Sequence, residues 1–69
     1  MQQLLADLDR AGRIEVSADQ MTRAECQRLV DAAREQHAQQ VEWDTAYRPI
    51  PGLEAEGAVF PVWTFTVRD

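Results

Sequence analysis

Few side chains of this sequence could take part in covalent or metal chemistry, and their spacing keeps them apart. Cys26 is the only cysteine and His37 the only histidine among the 69 residues. Eleven positions separate them on what the pattern predicts to be one helix, or roughly 16 Å at 1.5 Å per residue. A nucleophile must touch its base, and a zinc site needs several such ligands. We therefore predict no catalytic residue and no metal site, and we interpret Cys26 as a small buried apolar residue.

Three pairs of carboxylates stand two positions apart, a spacing that acid–base chemistry could use. The pairs are Asp7 with Asp9, Glu42 with Asp44, and Glu54 with Glu56. On a strand, residues two apart point to the same face. A catalytic pair also needs a cleft that removes one of its two acids from water. We expect no such cleft in a domain this small. We interpret the pairs as solvated charges and the protein as a non-enzyme that needs no cofactor.

Composition argues against two classes of partner. The chain carries 12 acidic and seven basic residues, has a net charge of −5 and contains no lysine. Binding to phosphate backbones needs clustered basic residues, whereas these arginines are scattered among acidic neighbours. No apolar stretch reaches the length of a membrane span. We therefore expect neither direct nucleic-acid binding nor membrane insertion.

The compartment and the origin can also be estimated from composition. A lone cysteine is typical of a reducing compartment, which predicts a cytoplasmic protein. Lysine and asparagine are both absent. Because their codons are A-rich, their joint absence favours a GC-rich bacterial genome, or a phage or plasmid that lives in one.

The first half of the chain predicts two helices with a strand between them. Residues 1–11 carry an apolar stripe of helical spacing that ends before Gly12. Residues 13–17 alternate as a short strand does. Thr22 and Glu25 form the capping-box pattern of a main helix that runs to about residue 38. The predicted buried stripe of that helix is Cys26, Leu29, Val30, Ala33 and His37.

The second half predicts two strands joined by a long loop. Residues 41–48 and 62–68 alternate at every position, with Pro61 at the entry to the last strand. The order α-β-α-β-β over a single domain, residues 1–69, predicts an α+β two-layer sandwich with both helices on one face. We expect a three-stranded mixed sheet: the main helix makes the first two strands parallel, and the third pairs antiparallel with the second or lies between them.

Two surfaces remain as candidates for function. One is the proline-stiffened loop 49–58, because long loops in compact domains are often functional or disordered. The other is the sheet face that the helices leave free, which we expect to attract a basic protein surface. The residues that we predict to bind a partner are Glu42, Asp44, Ile50, Leu53, Glu54 and Glu56.

The leading hypothesis is a non-enzymatic protein-binding module, a small acidic regulator or inhibitor that acts by surface occlusion. Its class includes phage-encoded anti-defence and host-takeover proteins, and a homodimer is compatible with its size. One alternative is an oligomer that stacks a flat cofactor on Trp43 or Trp63, although core packing also explains both residues. A second alternative is a DNA binder whose element order resembles a winged helix, with only one long helix where two are needed.

Overall fold

The computed structural model describes residues 2–68. The elements are α1 (Gln2–Ala11), β1 (Arg13–Ser17), α2 (Arg23–His37), β2 (Gln40–Pro49), a 3-10 turn (Glu54–Glu56) and β3 (Val59–Arg68). The sheet order is β1-β3-β2, and β3 runs antiparallel to both neighbours. The protein is therefore an α+β domain of two helices and three strands, in the predicted order.

The prediction of a mixed sheet is wrong. β1 and β2 do run in the same direction, as expected for two strands joined through a helix, and β3 lies between them, which is one of the two positions expected for it. Every hydrogen-bonded pair of strands is consequently antiparallel. The central position of β3 agrees with its composition, because it contributes the buried residues Val62, Trp63 and Phe65.

The boundaries of α2 follow from its capping residues. Thr22 accepts a hydrogen bond from the Glu25 backbone N–H at 3.1 Å, and the Glu25 carboxylate accepts one from the Thr22 N–H at 3.0 Å. This capping box is the predicted one. At the other end the chain turns at Ala38, which adopts the left-handed conformation with φ of 54°. In the left-handed conformation the Cβ atom of a residue other than glycine lies too close to the backbone. Ala38 therefore ends the helix in a strained backbone conformation.

One face of the sheet and both helices form the core. Phe65, Leu8, Leu29 and Cys26 are fully buried, and Ile14, Val16, Val41, Trp43 and Val67 pack against them from the strands. The predicted stripe of α2 is buried from Cys26 to Ala33. His37 is exposed, which corrects its assignment to that stripe. It is the last residue of the helix, where the chain turns towards β2.

The β2–β3 hairpin extends past the helices. Each of its strands has ten residues, so it spans about 30 Å. On the face that the helices cover, Trp63 is 7% exposed, whereas the next positions outward, Tyr47 and Val59, are 64% and 52% exposed. Residues 46–62 therefore form a projecting arm, and the molecule is 42 Å long by 21 and 18 Å.

Pro61 lies inside β3, not at its entry as predicted. Its carbonyl accepts a hydrogen bond from the Ala18 N–H, so the position of its missing N–H faces the side of β1. β1 ends at Ser17, which pairs with Val62. The proline is tolerated because β1 has ended before this position, so no carbonyl group of that strand requires a hydrogen bond from it.

The strain at Ala38 can be relieved. We expect Ala38→Gly to raise the free energy of unfolding by about 0.5–1 kcal/mol, because glycine adopts positive φ without a steric penalty. Urea denaturation followed by circular dichroism measures the change. Ala24→Gly, within the exposed first turn of α2, is the control and should lower stability. A loss of stability in Ala38→Gly would contradict the prediction.

Candidate functional site

Cys26 and His37, the residues that could take part in covalent chemistry, lie towards opposite ends of α2. Cys26 is fully buried, and its burial raises the pKa of the thiol, so that the reactive thiolate is disfavoured. Its interpretation as a buried apolar residue is confirmed. His37 is exposed at the far end of the same helix. Among residues 2–68 no group of three metal-ligating side chains comes together.

Trp63 is occupied by contacts within the protein. Its indole N–H donates to the Met21 carbonyl at 2.8 Å, and the Arg23 guanidinium lies over its ring at 5.4 Å from the centroid. Trp43 meets it edge-to-face, with ring centroids 5.6 Å apart at 84°. The ring of Trp63 therefore presents little free surface on which a flat ligand could stack. Trp43 is half-buried and keeps part of its ring accessible.

The outer face of the sheet, opposite the helices, is crossed by ion pairs. Arg48 of β2 reaches Glu15 of β1 through two hydrogen bonds of 2.8 and 2.9 Å, and Arg68 pairs with Glu42 at 2.7 Å. Because β3 lies between β1 and β2, the Arg48 side chain must pass over the intervening strand. Val62 pairs with Ala46 and Ser17, in the row between that of Arg48 and that of Glu15, and is only 5% exposed. We infer that the aliphatic stem of Arg48, which crosses this row to reach Glu15, helps to shield Val62 from water.

These pairs leave the outer face nearly neutral. Its three carboxylates are Glu15, Glu42 and Asp44, and its three arginines are Arg13, Arg48 and Arg68. The two predicted binding residues on this face already have partners: Glu42 has Arg68, and Asp44 accepts from the Thr45 backbone N–H at 2.7 Å. The excess negative charge of the protein therefore lies elsewhere.

The other predicted binding residues lie together at the end of the arm. The loop begins with a turn in which the Leu53 N–H donates to the Ile50 carbonyl, with Pro51 and Gly52 at its centre. Glu54 secures this turn by accepting from the Gly52 N–H at 3.0 Å. Gly57, with φ of 71°, ends the 3-10 turn. The loop is thus built from two defined turns, which place Leu53, Glu54 and Glu56 in solvent.

A shallow apolar hollow lies at the base of this loop. It has a volume of about 440 Å³ and is lined by Ile50, Pro51, Phe60 and Pro61, with Ser17 and Asp19 as its polar wall. The Ser17 hydroxyl donates to the Asp19 carboxylate at 2.6 Å and orients it. We define the tip surface as this hollow together with Leu53, Glu54 and Glu56.

Sequence reasoning found the loop half of the tip surface and missed the rest. Asp19 and Phe60 join it because β1 has five residues and β3 has ten, which leaves the first residues of β3 without a neighbour on that side. The length difference was readable from the alternating patterns. The sheet order that brings residue 19 beside residue 60 was one of two arrangements that the sequence left open.

Neither helix within residues 2–68 combines the length and apolar character needed to cross a bilayer. No protein-family model, curated protein or solved structure matches the chain.

The Glu15–Arg48 pair predicts a loss of stability in acid. The hydrogen bond from Arg48 lowers the pKa of Glu15. A carboxylate whose folded pKa is lowered adds stability above its unfolded pKa, about 4.3, and that contribution is lost as pH falls towards the folded pKa. We expect Glu15→Gln to reduce the difference in unfolding free energy between pH 7 and pH 3. Glu35→Gln, on the exposed face of α2, is the control, and an equal effect in both variants would contradict the prediction.

The contacts of Trp63 predict a second stability effect. Trp63→Phe removes the indole donor and leaves the Met21 carbonyl buried without its partner, which should cost about 1–3 kcal/mol. Chemical denaturation measures the loss. Trp43→Phe, a half-exposed ring with no side-chain hydrogen bond within residues 2–68, should cost less. Equal losses would show that the hydrogen bond to Met21 does not matter.

Proposed function

We propose that this protein is a non-enzymatic protein-binding module whose contact surface is the tip surface. The observation that carries the proposal is the exposed apolar hollow at the end of a projecting arm, beside an acidic loop. Apolar surface that a small domain leaves in solvent, rimmed by polar residues, is typical of protein-interaction sites.

The hollow favours a particular kind of side chain. Its walls are apolar, and its polar wall ends in the Asp19 carboxylate. An arginine or lysine of the partner could lay its aliphatic stem on Phe60 and Ile50 and place its charge at Asp19. Because Asp19 is exposed and already oriented by Ser17, little rearrangement is needed for that contact.

The charge distribution directs a basic partner to the same end of the molecule. The outer sheet face carries equal numbers of carboxylates and arginines, and so does α2. Asp19, Glu54 and Glu56 are therefore a substantial part of the uncompensated negative charge. Complementary charge of this kind mainly accelerates association and selects the partner.

Such a surface supplies contact without chemistry, so the module would act by covering part of its partner. This describes a small regulator or inhibitor that works in a reducing cytoplasm, where a buried free Cys26 is stable. Phage-encoded inhibitors of host machines, including anti-defence proteins, belong to the same class. The apparent GC-rich origin suggests the host in which the partner should be sought.

The proposal is tested by charge reversal at the tip. We expect Glu54→Arg/Glu56→Arg to reduce recovery of the partner by about tenfold or more, which corresponds to about 1.4 kcal/mol, because two attractive charges become repulsive. The tagged protein is incubated with lysate of a GC-rich bacterium, and captured proteins are quantified by mass spectrometry.

The matched control is Asp31→Arg/Glu35→Arg on the exposed face of α2, which changes the net charge by the same amount. It should retain the partner. Ile50→Ser tests the apolar part of the tip and should also weaken capture. Circular dichroism checks that each variant folds. Equal recovery by the wild type and the tip variant would overturn the proposal, and equal loss in the control variant would show nonspecific attraction.

A further inference from the structure

We propose that the free edge of β2 pairs with β2 of a second copy of this chain. The two strands would run antiparallel about a twofold axis at Thr45 and join two sheets into one of six strands. This inference does not depend on the tip surface and concerns the opposite edge of the sheet from β1.

The edge of β2 offers an uninterrupted row of backbone groups. The register with β3 is constant over all ten residues, so β2 has no bulge. The Ile50 N–H donates to the Ala58 carbonyl in this ladder, which fixes the even-numbered residues as those bonded to β3. The backbone groups of Val41, Trp43, Thr45 and Tyr47 therefore point outward. The Tyr47 carbonyl accepts from the Arg48 guanidinium at 3.2 Å, a bond that pairing would replace. Long, straight edges of this kind are templates for another strand.

The residue types along β2 select one register. An axis at Asp44 would oppose two Asp44 carboxylates, which repel. An axis at Ala46 would set Trp43 against Pro49, which has no N–H to donate, whereas an axis at Thr45 sets that proline against Val41, at the end of the paired segment. An axis at Thr45 instead places Trp43 opposite Tyr47 of the second copy, and the two Thr45 residues opposite each other. It also places Glu42 opposite Arg48 of the second copy, in addition to the ion pairs that each residue makes within its own chain. Opposite charges, aromatic pairs and threonine pairs are the favourable cross-strand combinations.

A largely polar groove lies beside the edge. It has a volume of about 440 Å³ and is lined by Gln27, Val30 and Arg34 of α2, by Val41, Glu42, Trp43 and Asp44 of β2, and by Thr64 and Thr66 of β3. With the axis at Thr45, the uncovered arm of one copy lies beside the helix of the other. Tyr47 of the second copy is then directed to the groove next to Trp43. This arrangement would cover Tyr47, which is 64% exposed in the single chain.

Asp44 occupies one backbone donor of the edge in the single chain. Its carboxylate accepts from the Thr45 N–H at 2.7 Å, and this is one of the outward-pointing donors. Pairing replaces that bond with one to the Thr45 carbonyl of the second copy. The two tip surfaces would stand at opposite ends of the six-stranded sheet, so a dimer would present two of them.

Single cysteine substitutions can locate the twofold axis, because a residue on that axis lies opposite the same residue of the second copy. Opposed residues of a hydrogen-bonded pair, such as Thr45 and its copy, have Cα atoms about 5.5 Å apart, within the usual range for a disulfide. We expect Thr45→Cys to form a disulfide-linked dimer under mild oxidation at least ten times faster than Asp44→Cys or Ala46→Cys. The wild type, whose Cys26 is fully buried, is the control for background oxidation.

Sedimentation analysis of the reduced wild type from micromolar to near-millimolar concentration should show a reversible monomer–dimer equilibrium. Thr45→Pro should shift it at least tenfold towards monomer, since it removes an outward N–H and no bond to β3; circular dichroism checks its fold. A wild type that stays monomeric throughout overturns the proposal. Faster cross-linking at position 44 or 46 overturns it as well, because the axis would then lie elsewhere.

Discussion

The hydrogen bond from the Trp63 indole to the Met21 carbonyl fixes where the helical layer ends. It joins the start of α2 to the central strand, and Arg23, the first residue of the helix, covers the same ring. From that point α2 runs back for 15 residues, about 22 Å, to the start of β2. The hairpin continues in the other direction without cover. The side chain of Trp63 thus marks the boundary between the core and the uncovered arm.

The sheet has helices on only one face, and the chain compensates for this on the other face with cross-strand ion pairs. Exposed pairs contribute little to stability individually because water screens them. Their effect on the surface is larger: Arg48 crosses the row of the buried Val62, and the arginines neutralise the carboxylates of the face. As a consequence, a protein of net charge −5 has a nearly neutral sheet surface. Much of the uncompensated negative charge therefore lies at the tip, on Asp19, Glu54 and Glu56.

Local signals in the sequence predicted local structure well. The capping box of Thr22 and Glu25 placed the start of α2, and the alternation of residues 13–17 placed β1, because both depend on neighbours within a few positions. The strand order was harder, since parallel and antiparallel neighbours give similar patterns and tertiary packing decides between them. The error at Pro61 has the same origin: a proline is acceptable in a central strand only where the adjacent strand has already ended. The tip hollow combines residues about 40 positions apart and depended on the same unknown order.

Chain length connects the uncovered arm to the free edge. A domain of this size buries only about 60% of the surface that its unfolded chain exposes, so additional contacts have a large effect on its stability. The strands provide such contacts at two places that the helices do not reach. The tip has apolar side chains and uncompensated charge, which suit a different protein. The edge of β2 has backbone donors, acceptors and residues that complement their own sequence when reversed, which suits a second copy. The difference between the two places lies in their charges: those of the tip are all negative and would repel a second copy of it, whereas β2 carries charges of both signs.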